Sequence, residues 1–97
     1  MPFKDNYDFD VLKNEAQRLV IDELALQIAE RPELCLCEEC VLDMAALALN
    51  AVKPLYRVSL LGTLYTARAM DEASYAQELR QAVSTAISRV HANPSHE

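Results

Sequence analysis

The chain of 97 residues has a single glycine, Gly62, and no tryptophan. So little glycine excludes a turn-rich β-sandwich, whose tight connections call on that residue repeatedly. No apolar run reaches the roughly 20 residues free of charge that a membrane-spanning helix needs, and the N-terminal "MPFKDNYDFD" is polar and acidic rather than leader-like. Basic residues are scarce: nine Lys and Arg stand against fifteen Asp and Glu, for a net charge of -6. That balance excludes general affinity for the phosphate backbone of nucleic acids, which rests on clustered cations. Enzyme signatures are missing as well. There is no Gly-rich phosphate loop, no H-E-x-x-H, no Ser-centred elbow, and no His before the C-terminal end to serve as a base. The expectation is a cytoplasmic, non-catalytic protein without membrane insertion.

What is present favours an all-α fold. Hydrophobic residues make up 52% of the chain, and their spacing predicts three main helices plus a short extended or turn segment. From Val11 to Glu30, Leu12, Ala16, Leu19, Val20, Leu24 and Ile28 recur every three or four positions, with Asp8 or Asp10 placed to cap the start and Pro32 to stop the end. Ile21, Ala25, Leu26 and Ala29 widen that stripe, which suggests burial on two sides. A second helix, from about Glu38 to Val52, has Asp43 and Asn50 as its main polar interruptions beyond the first turn and reads as a central element. Tyr56, Val58 and Leu60 alternate as a short extended piece before Gly62. The last helix runs from about Asp71 or Ser74 to Val90, with Ser74 and Gln77 spaced as a capping box. Its apolar face is Tyr75, Leu79, Ala82, Val83, Ala86, Ile87 and Val90. Residues 1–10 form a polar segment, 11–91 the helical domain, and 92–97 a disordered tail.

A chain this short buries a thin core. Three helices with so much apolar surface point to an intertwined homodimer that shares its core. A compact monomer, its central helix wrapped by its own neighbours and by residues 55–70, is the alternative.

All three cysteines fall within "CLCEEC". Cys37 and Cys40 form a C-x-x-C pair at a helix start, where the helix dipole and free N–H groups favour the thiolate that a metal binds. Cys35 reaches the same point if the backbone there is extended. Three thiolates suit zinc, which takes sulfur ligands in a tetrahedron at ~2.3 Å. Three leave one corner to Glu33, Glu38, His91, His96, a water or another subunit. The plain alternative is three reduced thiols packed as small hydrophobes. A thioredoxin-like role would need a βαβ setting that the surrounding pattern does not supply.

The stretch "CLCEECVLDMAALALNAVKPLY" resembles the signature of the late competence development protein ComFB family: a C-x-C-x-x-C, then an Asp, an apolar "ALALN" and a Pro-x-Tyr. "NEAQRLVIDEL" is similar to that family's first helix, and "LYTARAM" with the following helix fits its C-terminal part, so the likeness spans about residues 11–91. One departure is Lys53 beside a lone Pro54, where many relatives carry two prolines. The resemblance implies a small helical homodimer with structural zinc at Cys35, Cys37 and Cys40, and no catalysis. It also implies a link to cyclic dinucleotide second messengers, c-di-GMP or c-di-AMP, in regulation of competence, motility or cell behaviour. The other reading is a competence-related adaptor that docks a protein partner and binds no small ligand.

Candidate ligand residues come from the chain's own chemistry. Lys53, Tyr56 and Arg57 follow the central helix, and Tyr65 and Arg68 lie just beyond. Arg offers a bidentate donor for phosphate and Tyr a face for a base. Three of the nine basic residues therefore gather between 53 and 68. The plain alternative is aromatic residues in a core or interface, with Arg57 and Arg68 solvated or paired to acids. Asn14, Glu15 and Asp43 also stand out, and for Asp43 a structural role is expected, either toward the metal loop or on a polar stripe with Asn50.

Overall fold

The computed structural model describes residues 2–58 and 73–94. Two short 3-10 turns, Phe3–Asn6 and Phe9–Val11, lead into a two-residue strand, β1 (Lys13–Asn14). Helix α1 (Glu15–Ile28), helix α2 (Glu38–Ala51), strand β2 (Tyr56–Arg57) and helix α3 (Ala73–Ala92) follow. The fold is thus mostly helical, with three helices among the described residues and one small antiparallel sheet.

The first helix begins four residues later than its apolar spacing predicts. Asp8 does cap a helix, but only the 3-10 turn at Phe9–Val11, where its side chain accepts from the Asp10 N–H. The cap of α1 is Asn14, whose extended backbone lets its Oδ1 accept from the Ala16 N–H at 3.1 Å. Lys13 and Asn14 instead pair with Arg57 and Tyr56. Leu12, expected in the core, sits ahead of the helix and is exposed. At the other end α1 tightens into short-range bonds, Glu30 N–H to Gln27 and Arg31 N–H to Ile28, before Pro32.

Helix α2 packs along α3, and α1 lies against both. From α1 the core takes Ala16, Val20 and Leu24, and from α2 Cys40, Met44 and Ala48, each set at a four-residue spacing that marks one face. All seven residues expected on the apolar face of the last helix are buried. Ser74, expected as its cap, is its second described residue and exposed, so the capping box is not formed there. The Tyr75 hydroxyl donates to the Lys53 carbonyl at 2.9 Å and ties the turn after α2 to α3.

The broad burial expected of the first two helices is not reached within one chain. Ile21 and Leu26 on α1 are 48% and 67% exposed, and Leu42 and Leu47 on α2 are 59% and 39% exposed. Each helix therefore presents a second apolar face outward. The N-terminal segment likewise folds back on itself, with Phe3, Tyr7 and Phe9 in mutual ring contact at 5.0 to 6.3 Å between centroids.

Ile87 is fully buried where α3 meets its neighbours. Its replacement by Ala is expected to lower unfolding free energy by about 2–5 kcal/mol in urea denaturation. Gln81→Ala, on the exposed face of the same helix, is expected to change it by less than about 0.5 kcal/mol.

Candidate functional site

Two places concentrate chemistry: the turn before α2 and the short strand pair that follows it. The turn is built by alternation. Residues 35–37 are non-helical, and Cys37 has an extended backbone (φ -69°, ψ 160°). Cys35 and Cys37 thus project to one side while Leu36, 55% exposed, projects to the other. Cys37 then caps α2, its Sγ accepting from the Cys40 N–H at 3.4 Å. The C-x-x-C spacing is therefore the distance from a cap residue to the third residue of the helix, which puts both sulfurs at one helix end. Glu38 and Glu39 occupy the first turn, where carboxylates offset the helix dipole.

The sulfurs of Cys35, Cys37 and Cys40 all lie within 4.8 Å of one another. Around one tetrahedral ion with ~2.3 Å bonds, ligand sulfurs sit about 3.8 Å apart, so a small contraction of this turn closes on a metal. The backbone N–H of Cys40 holds the Cys37 thiol below its ordinary pKa. Burial, reinforced by the neighbouring Cys37 and Cys35, pushes the Cys40 thiol up to about 12. A second thiolate beside the first is unfavourable until a cation supplies the balancing charge. Three sulfurs without an oxygen donor suit a soft or borderline divalent ion.

Of the proposed fourth ligands, Glu33 is engaged by Arg31, whose Nε donates to its carboxylate at 2.9 Å. Its own backbone N–H and Arg31 together hold its pKa low. Among the described residues, no carboxylate or imidazole joins the three cysteines. His96 lies outside the described residues. Asp43 is half-buried one turn beyond Cys40.

The strand pair brings together distant parts of the chain. Asn14 Oδ1 accepts a second hydrogen bond, from the Leu55 N–H at 2.7 Å, and the Glu15 N–H donates to the Leu55 carbonyl at 2.8 Å. Glu15 is the buried charged residue of the described core, 8% exposed. Its Oε1 accepts from Arg57 Nε at 2.5 Å and its Oε2 from Arg18 Nε at 3.0 Å. Arg57, then Arg18, hold its carboxyl below its ordinary range.

Of the five candidate ligand residues, Tyr65 and Arg68 lie outside the described residues. Tyr56 is 60% exposed and lines a cavity of about 740 Å³ with Lys13, Asn14, Gln17, Asn50 and Pro54. Arg57, its neighbour, faces an adjoining cavity of about 440 Å³. Lys53 is exposed and lines neither, contributing its carbonyl to Tyr75 instead. Sequence reasoning noticed Asn14 and Glu15 without seeing what they join, and missed Lys13 and Arg18. The Asn immediately before a helical period was the available signal for the cap; nothing local announces a pairing across 42 residues.

No helix among the described residues is long and apolar enough to cross a membrane. A small helical bundle with a three-cysteine, metal-competent turn at the head of one helix defines the class. Comparison makes it specific: the family model described as late competence development protein ComFB matches residues 13–94, and the chain belongs to that family. A search of curated proteins found no match. Among solved structures, the late competence protein ComFB from Bacillus subtilis is similar at 25% identity and a TM-score of 0.66, over 87% of this chain and 92% of that one.

Two outcomes follow from these geometries. Titration with cobalt(II) is expected to give thiolate charge-transfer absorption saturating near one ion per chain, and Cys37→Ser and Cys40→Ser to lose it together with the accompanying rise in thermal stability. Because the folded pKa of Glu15 is lowered from 4.5, its contribution is fully present above that value and lost as pH falls through the folded one. The stability gap between wild type and Glu15→Gln should therefore be widest above pH 4.5 and narrow as the pH falls below it, followed in chemical denaturation.

Proposed function

We propose that this protein is a zinc-stapled homodimer that acts as a receptor for a cyclic dinucleotide, c-di-GMP or c-di-AMP. It is a cytoplasmic regulator and carries out no catalysis. The observation that carries the reading is the placement of Tyr56 and Arg57 as successive residues of β2, whose side chains alternate so that each lines one of two adjoining cavities. An exposed phenol ring provides a stacking face for a base, and a guanidinium provides a bidentate donor for phosphate. Lys53, exposed on the turn before β2, is a further candidate, as are Tyr65 and Arg68 from the segment that follows.

Zinc is the metal that best suits three thiolates at a helix start. Bound there, it fixes the start of α2 and supplies no reaction, and Cys35, Cys37 and Cys40 hold it with a fourth donor from outside this trio. The outward apolar faces of α1 and α2, with Leu26, Leu42 and Leu47 exposed, support the homodimer: a second copy gives them cover that one chain does not. Two-fold symmetry would also present the Tyr56–Arg57 pair twice to a ligand that is itself nearly two-fold.

The adaptor reading draws on a separate observation. Phe3, Tyr7 and Phe9 form an exposed aromatic cluster beside Val11 and Val58, a surface suited to a protein partner.

Titration calorimetry with each nucleotide decides between the two readings. The receptor reading expects saturable heat with at least one of them, weakened about tenfold or more in Arg57→Gln. Absence of heat with both, up to high micromolar concentration, leaves the adaptor.

A further inference from the structure

In this acidic chain, cations collect on one small face. Lys13 and Arg57 are directly opposed partners in the antiparallel strand pair, so two positive side chains stand across from one another, an arrangement that costs stability. Arg18, one turn into α1, joins them through Glu15. All three basic side chains line the cavity of about 440 Å³, against the two carboxylates of Glu15 and Asp22. Glu15 grips both arginines by Nε, and Asp22 takes Arg18 Nη1 at 3.4 Å from a side chain that is 67% exposed. Among the described residues, Lys13 has no carboxylate within ion-pair distance.

A carboxylate has acceptor positions for more than one guanidinium. Here a carboxylate that is nine-tenths buried holds two guanidiniums in fixed orientation, and a third cation is left facing them. Because Glu15 takes Arg57 through Nε, the terminal Nη edge of that guanidinium, which is suited to a phosphate oxygen pair, is left to the cavity. An anion in this cavity would relieve the repulsion between Lys13 and Arg57.

We infer that Lys13, Arg18 and Arg57, oriented by the buried carboxylate of Glu15, form a binding subsite for a phosphodiester or phosphate group. Lys13, Arg18 and Arg57 touch the ligand. Glu15 is a positioning residue that acts through the two arginines. The adjoining cavity under Tyr56 shares Lys13, Asn14 and Gln17 with this one, so a base stacked on Tyr56 would carry its phosphate to the cations. The inference deepens the receptor reading and rests on it for the identity of the phosphodiester.

The test uses the full chain and its variants Lys13→Gln, Arg18→Gln and Glu15→Gln. Lys13 and Arg18 are exposed, so their variants fold normally, and circular dichroism monitors the third. The probes are c-di-GMP, c-di-AMP and inorganic pyrophosphate, followed by calorimetry and by NMR of the backbone and arginine side chains. The expected result is that Lys13→Gln and Arg18→Gln each weaken the bound nucleotide about tenfold or more. Glu15→Gln removes a negative charge, so charge alone predicts tighter anion binding, whereas positioning predicts weaker binding. Tighter binding by folded Glu15→Gln overturns the positioning role. A nucleotide that binds wild type and both cation variants equally overturns the subsite and leaves the receptor reading intact. If neither nucleotide binds but pyrophosphate shifts Lys13, Arg18 and Arg57 resonances, and Lys13→Gln abolishes the effect, the subsite stands and the receptor reading falls. No shift of these resonances with any probe overturns the subsite.

Discussion

One amide oxygen organises the described part of this protein. Asn14 Oδ1 accepts the Ala16 N–H and so starts α1, and it also accepts the Leu55 N–H and so anchors the chain that leaves α2. The two jobs are inseparable. Capping requires Asn14 to be extended, and that extended conformation is what lets Lys13 and Asn14 pair with Arg57 and Tyr56. Around this join the buried carboxylate of Glu15 gathers Arg57 and Arg18, so a local helix signal becomes the foundation of a charged surface 42 residues away in sequence.

Helix α2 separates the two chemically active regions. The three-cysteine turn lies at its N-terminal end, and the strand pair with its cavities lies beyond its C-terminal end. Fourteen residues intervene, about 21 Å at the rise of an α-helix. At that separation a metal at the turn and an anion at the strand pair touch no common side chain. A metal held by the three cysteines would fix where α2 begins, while α3, tied to Lys53 through Tyr75, fixes where the following segment lies. The metal-competent turn and the cation-lined cavity thus lie at opposite ends of one helix.

Apolar surface tells a related story. The stripes that face α3 are buried at regular spacing, yet α1 and α2 each keep further large apolar side chains exposed. These residues make the helices look central in sequence although a single chain covers only one face of each. A periodic pattern reports how much surface is available for burial, not which molecule will cover it.

By itself, the sequence determined whatever depends on short spacing. The seven buried residues of α3, the cap-to-third-residue geometry of Cys37 and Cys40, and the approach of Cys35 by extended alternation all follow from local periods that any neighbouring structure would preserve. The family likeness was legible for the same reason, in "CLCEEC" and the apolar run after it. Only the tertiary structure decided that Val11 to Asn14 leaves the helical period for a turn and a strand. Helical spacing continued through those residues, and the pairing with Tyr56 and Arg57 that overrode it is a long-range contact. The same holds for Glu15 with Arg57 and for Lys13 opposite it: hydrogen bonds and charges act through space, and no local pattern records which remote partner the fold will bring within reach.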